Sequence, residues 1–132
     1  MAGNLRELLA GVRTIAIVGL SANPARPSND VAAFLMARGY ICVGVNPGVT
    51  GRTIHGMPVV ARLADIGSPV DMVDIFRASE AVAAVVDEAL ALDPVPRVIW
   101  MQLGVVDVAA KARAEAVGLT VVMDNCPKMV LA

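Results

Sequence analysis

The chain has 132 residues, 57% of them apolar, and a mean hydropathy of +0.68, which supplies a buried core and leaves no polar tract long enough for disorder. Lys and Arg total 11 against 12 Asp and Glu, a net charge of −1, and aromatics make up only 3%; a basic nucleic-acid binder with a base-stacking platform is excluded. A transmembrane helix needs about 18 nearly uncharged apolar residues. Asp71 and Asp74, Asp87 and Glu88, and Asp93 with Pro94 interrupt every candidate, while Arg6, Glu7 and Arg13 break up any secretory leader. One cytoplasmic domain spanning 1–132, with no membrane partner, is expected. The two cysteines, Cys42 and Cys126, are too few for a disulfide framework and read as reduced thiols.

In chain order, Leu5 to Val12 reads as a short leading helix. Thr14-Ile15-Ala16-Ile17-Val18 lacks polar alternation and predicts a strand buried on both faces. Gly19 to Ser28 is a loop with Pro24 and Pro27, and Ser28 is the expected N-cap of a helix running to about Arg38, ended by Gly39. Tyr40 to Val45 is a second strand, stopped by Asn46-Pro47-Gly48. Residues 48–57 read as irregular, and Pro58 to Val60 as a short strand. Val70 to Ile75 is a further buried strand, and Ser79 is expected to cap a helix over about Glu80 to Leu92. Arg97 to Met101 is a strand, Asp107 caps a helix to about Val117, Gly118 stops it, and Leu119 to Met123 is the last strand. No further element is expected before Ala132.

Strands and helices that alternate in this way predict an α/β, three-layer, Rossmann-like fold: a mostly parallel sheet with helices on both faces. Such sheets bind ligands beyond the carboxyl ends of their strands, where strand order reverses. Gly19 allows close backbone approach after the first strand, Ser21 offers a hydroxyl, and Arg26 offers a charged fork beside the amides of the next helix. The loop is not GxGxxG: Ser21 and Pro24 stand where glycines would. An NAD site favours a carboxylate at the end of the second strand, and here that place holds Asn46.

Phe76-Arg77 closes one strand, and Gln102 and Gly104 close the next, with Trp100 on the face of Gln102. The only histidine, His55, has no Ser or Cys partner in sequence and reads as a loop residue without a chemical role. One His and two distant Cys give no metal-ligand spacing. No acid and base pair stands out, so no catalytic residue is assigned and the chain is expected not to be an enzyme.

Several stretches together resemble the small stand-alone CoA-binding proteins, which are similar to the N-terminal CoA-binding domain of the succinyl-CoA synthetase α subunit. They are Ile17-Val18-Gly19-Leu20-Ser21, Arg26-Pro27-Ser28, Gly39-Tyr40, Val45-Asn46-Pro47, Val73-Asp74-Ile75-Phe76-Arg77, Trp100-Met101-Gln102-Leu103-Gly104, Gly118-Leu119, Val121-Val122-Met123-Asp124 and Cys126-Pro127. The resemblance spans nearly the whole chain and implies a Rossmann-like fold that binds coenzyme A or an acyl-CoA without turnover. It assigns Gly19, Leu20, Ser21, Asn23, Arg26, Pro27 and Ser28 to the pyrophosphate region. It places Val45, Asn46 and Pro47 beside the adenosine and its 3′-phosphate, Phe76 and Arg77 along the nucleotide, and Gln102 and Gly104 nearer the pantetheine path.

Asn125 replaces the Arg that commonly precedes the last Cys in the small proteins. Val49 replaces a Lys of the synthetase loop, with Arg52 as the nearby substitute. The synthetase's phosphorylated histidine belongs to another domain, so His55 is not its counterpart. Two alternatives remain. One is an NAD(P)-binding oxidoreductase-like domain. The other is a thiol or redox protein using Cys126, which needs a readily ionised, accessible thiol. The high apolar fraction in so short a chain leaves a homodimer open, with no apolar stripe to mark its interface.

Overall fold

The computed structural model describes residues 2–132. Its centre is a seven-stranded sheet in the order β3-β4-β2-β1-β5-β6-β7. The strands are β1 (Thr14–Val18), β2 (Ile41–Val45), β3 (Thr53–Ile54), β4 (Met57–Val60), β5 (Met72–Ile75), β6 (Val98–Met101) and β7 (Thr120–Val122). All pairings are parallel except β3 with β4. The helices are α1 (Ala2–Ala10), α2 (Pro27–Ala37), α3 (Val82–Leu90), α4 (Val108–Ala116) and α5 (Pro127–Leu131).

The uninterrupted apolar strands follow from burial on both sides. Ala16, Val18, Val73, Ile75, Ile99 and Met101 face α3 and α4, which contribute Val82, Val85, Val86, Ala110 and Ala114. The alternate residues Ile15, Ile17, Met72, Val98 and Trp100 face α1 and α2 through Leu9, Val31, Ala32 and Leu35, with Val130 and Leu131 of α5 against the same layer. Period-2 alternation in β1, β5 and β6 therefore sorts side chains between two cores and leaves no residue of these strands exposed.

The expected strands and the Asp107 cap are present; Asp107 accepts a hydrogen bond from the Ala110 N–H at 2.9 Å. Four local expectations give way. Ser28 is not the N-cap of α2: Arg26 occupies that position and Pro27 takes the first helical turn, where its fixed φ and missing N–H are favoured. Ser79 opens a 3₁₀ turn over Ser79–Ala81, and α3 begins only at Val82. The supposedly irregular 48–57 stretch contains β3, joined to β4 by His55 and Gly56, both with positive φ (54° and 81°), the conformation of a tight two-residue hairpin turn. A further helix, α5, follows the last strand, with Pro127 in its first turn.

Chain order reverses between β1 and β5. β1 is followed by α2 and by β2 on one side, while β5, β6 and β7 build outward on the other. The carboxyl ends of β1 and β5 consequently diverge into loops on opposite sides and leave a crevice between them.

Candidate functional site

A cleft of about 850 Å³ opens in that crevice. Its floor is Gly19 at the end of β1 and Phe76 and Arg77 at the end of β5; one wall is the start of α2 with Arg26, Pro27, Ser28 and Val31. The opposite wall comes from Gln102, Leu103 and Val105 after β6 and from Cys126, Lys128 and Met129 at α5.

Gly19 is required there by the protein's own backbone. Its φ is +88°, and a Cβ would lie 2.5 Å from the Phe76 carbonyl oxygen and 3.1 Å from Arg77 Cδ. The missing side chain thus lets the ends of β1 and β5 meet under the cleft. Ser21 is fixed through both backbone groups: its N–H donates to Ser28 Oγ at 2.9 Å, and its carbonyl accepts from Asn29 Nδ2 at 2.9 Å. Ser28 therefore serves the loop and not the helix end.

The electrostatics of the cleft are uneven. Lys128 Nζ lies 2.7 Å from Asp30 Oδ2, so the cleft's one carboxylate is engaged by its own wall. Arg26 and Arg77 are exposed and have no carboxylate partner among the described residues. On the far wall Gln102 is 5% exposed, and its Oε1 is buried without a hydrogen-bond partner. Beside it Leu103 and Met129 are large apolar side chains left 55% and 66% exposed. One end of the cleft suits an anion, the other an apolar stem.

Of the residues singled out from sequence, the cleft brings together Gly19, Ser21, Arg26, Pro27, Ser28, Phe76, Arg77 and Gln102. The others lie elsewhere. Leu20 is fully buried and fills the space beside Gly44, where a Cβ would come within 2.5 Å of its Cδ2. Asn23 folds its own turn, its Oδ1 accepting from the Ala25 N–H at 3.0 Å. Asn46 spends both ends of its amide inside the protein, Nδ2 donating to the Leu20 carbonyl and Oδ1 accepting from the Gly48 N–H, each at 2.9 Å. Gly104 turns the β6 loop (φ +79°) and donates to Asp124 Oδ1 at 2.7 Å.

Val45 and Pro47 border a second, smaller recess of about 140 Å³, with Arg77 shared between the two recesses. Arg62, not Arg52, supplies the other cation there. The sequence singles out Lys128 only as a possible cation beside Cys126, and Arg62 not at all. The available signal was a cation placed shortly after a strand's carboxyl end or in the first turn of a short helix.

Cys126 does lie on the cleft wall, but it is 5% exposed and the neighbouring ammonium of Lys128 is turned to Asp30. Asn125 is bound up locally: its carbonyl accepts from Trp100 Nε1 at 2.9 Å and its Oδ1 from the Cys126 N–H at 2.8 Å. Under the cleft, on the α2 side of the sheet, Asp74 is fully buried with neither carboxylate oxygen hydrogen-bonded. Burial pushes its carboxyl well above the ordinary carboxylate range. Cys42 on the same side is pushed up to about 12 by burial and, secondarily, by Asp74, which makes it an inert thiol.

Comparison with known proteins decides the family. The model of a CoA-binding domain family, described as "CoA binding domain", matches residues 13–132. The chain belongs to this family. It is 36% identical over 125 residues to the uncharacterized protein YneT of Bacillus subtilis (strain 168), covering 95% of this chain and 90% of the relative. A solved Thermus thermophilus protein, described as cell-free ID.343, superposes with a TM-score of 0.92 at 33% identity over 99% of this chain and 96% of its own. A fold-level likeness extends to a dinucleotide-forming acetyl-coenzyme A synthetase of Ca. Korarchaeum cryptofilum, solved with phosphate and ADP: TM-score 0.74, 20% identity, 90% of this chain and 27% of that one. The same fold is thus nearly a whole small chain in one protein and about a quarter of a longer chain in another. Among the described residues no helix is long and apolar enough to cross a membrane.

Proposed function

We propose that this CoA-binding domain binds coenzyme A, free or as an acyl thioester, in the cytoplasm and without turnover. The observation that carries the reading is the two-ended cleft. Arg26 and Arg77 lie unpaired near the start of α2, and the far wall carries the buried, unsatisfied Oε1 of Gln102 between exposed Leu103 and Met129. A diphosphate takes the cationic end, where the α2 dipole adds to the two guanidiniums. The amide-bearing arm of coenzyme A then runs past Gln102, whose buried, unpartnered acceptor takes an N–H when the side chain turns toward the cleft. The smaller recess is left for the 3′-phosphate: Arg62 and Arg77 line it against the one carboxylate of Glu88, and Arg62 keeps Asp65 at 3.9 Å.

Two features weigh against the alternatives. The end of β2 carries Asn46, with both amide ends already used, in place of a carboxylate for the ribose diol of a dinucleotide. Against catalysis stands the pairing of the cleft's single carboxylate, Asp30, with Lys128.

Titration calorimetry with coenzyme A tests the reading. Arg26→Ala removes an exposed charge and no core, so affinity falls by about tenfold or more while thermal unfolding is unchanged. Ser21→Trp fills the loop side of the cleft and abolishes binding with the far-ultraviolet spectrum intact. Wild-type affinity in both variants would remove the loop after β1 from the site.

A further inference from the structure

A chain of hydrogen bonds runs from the β3–β4 turn to the loop after β1. His55 Nε2 lies 2.6 Å from Asn29 Oδ1, and Asn29 Nδ2 donates to the Ser21 carbonyl at 2.9 Å. Asn29 is 3% exposed, so without a donor its Oδ1 would be an almost wholly buried acceptor left unsatisfied. Because Nδ2 is committed to Ser21, the amide oxygen must face the ring, and Nε2 must carry a proton.

The backbone at His55 points the same way. Its φ of 54° lies in the left-handed region that glycine and asparagine occupy at less cost. A histidine is not what the turn itself asks for, and among the described residues the ring's one hydrogen-bond contact is with the residue that fixes Ser21.

We propose that His55 is a positioning residue for the ligand-binding loop: from a hairpin at the sheet edge it closes the amide of Asn29, and Asn29 then holds Ser21 in place at the cleft. The ligand side of this inference rests on the coenzyme A reading; the mechanical side does not.

The test uses His55→Gly, which removes the ring while suiting the turn, and His55→Gln, whose side-chain amide can still donate to Asn29. Amide hydrogen exchange across residues 21–26 is measured on the ligand-free protein, and coenzyme A affinity by calorimetry. In His55→Gly exchange in the loop accelerates and affinity falls, each by about fivefold, the worth of one ordinary hydrogen bond. His55→Gln recovers both. Wild-type exchange in His55→Gly overturns the clasp whatever the ligand result. Accelerated exchange with unchanged coenzyme A affinity overturns its role in binding. A wild-type protein that does not bind coenzyme A refutes the ligand reading, and the exchange data alone then decide the clasp.

Discussion

At the residue scale the two unsatisfied polar groups beneath and beside the cleft, Asp74 and Gln102, behave differently because one is ionisable. Gln102 is a neutral amide in the cleft wall, whereas Asp74 is a carboxyl between Ile17 and Trp100 in the sheet with no hydrogen-bond partner among the described residues. The carboxyl of Asp74 is raised on folding, so its protonated form favours the native state. Its contribution to stability is complete below the unfolded value of about 3.9 and is lost as pH rises toward the folded value, at about 1.4 kcal/mol for each pH unit between the two. Asp74→Asn takes this slope away: denaturant titrations at pH 5 and pH 8 should show a variant that loses less stability than wild type over that interval. Equal slopes would mean that Asp74 is ionised or partnered in solution.

The same scale shows where sequence was a poor guide to the site. Leu20, Asn23 and Asn46 stand in the right segments, but their side chains build the loops that frame the cleft. Only side-chain direction separates Asn46, bonded to Leu20 and Gly48, from a ligand contact, and spacing along a chain does not carry direction. Arg62 was invisible for the complementary reason: β4 ends on an ordinary valine, and nothing local tells which neighbouring recess a flexible cation will line.

At the element scale the strands were legible because burial on both faces leaves an unbroken apolar run, as in Thr14–Val18. The β3–β4 hairpin was not, since β3 is two residues long and Thr53 is exposed. The turn signal before Gly56 was present but carried His where Asn or Asp is customary. α5 was missed because five residues offer no periodicity; Pro127 at its start was the only mark. The seat of the loop after β1 on the sheet gives a prediction at this scale. Leu20 is the peg and Gly44 of β2 the slot, so Gly44→Ala drives a methyl into Leu20 Cδ2 and against Val59. It should cost about 1–3 kcal/mol, seen as a lowered melting temperature, and weaken coenzyme A binding by lifting the loop. Leu20→Ala should cost less in the Gly44→Ala background than in wild type, because the added methyl occupies part of the space that Leu20 leaves. Unaltered stability in Gly44→Ala would show that the loop does not bear on β2.

At the scale of the whole molecule, the architecture does most of the work of making a site. Reversal of strand order between β1 and β5 opens the crevice, the start of α2 and two arginines without a carboxylate partner among the described residues give it a cationic end, and the β6 loop with α5 gives it an apolar end. Fold class and the position of the cleft followed from strand–helix alternation alone, since ligand crevices in such sheets are set by topology. The choice of ligand did not follow from topology, because diphosphate-bearing cofactors of several kinds fit that crevice. It depends on particular groups: Asn46 in place of a carboxylate, Arg62 and Arg77 around the smaller recess, and the free acceptor on Gln102.

The central claim is therefore a preference among cofactors, and isothermal titration of nucleotide-stripped protein measures it most directly. Coenzyme A should bind saturably, dephospho-coenzyme A more weakly for want of the 3′-phosphate, and NAD and NADP should give no binding heat. NAD or NADP binding with coenzyme A silent would contradict the account.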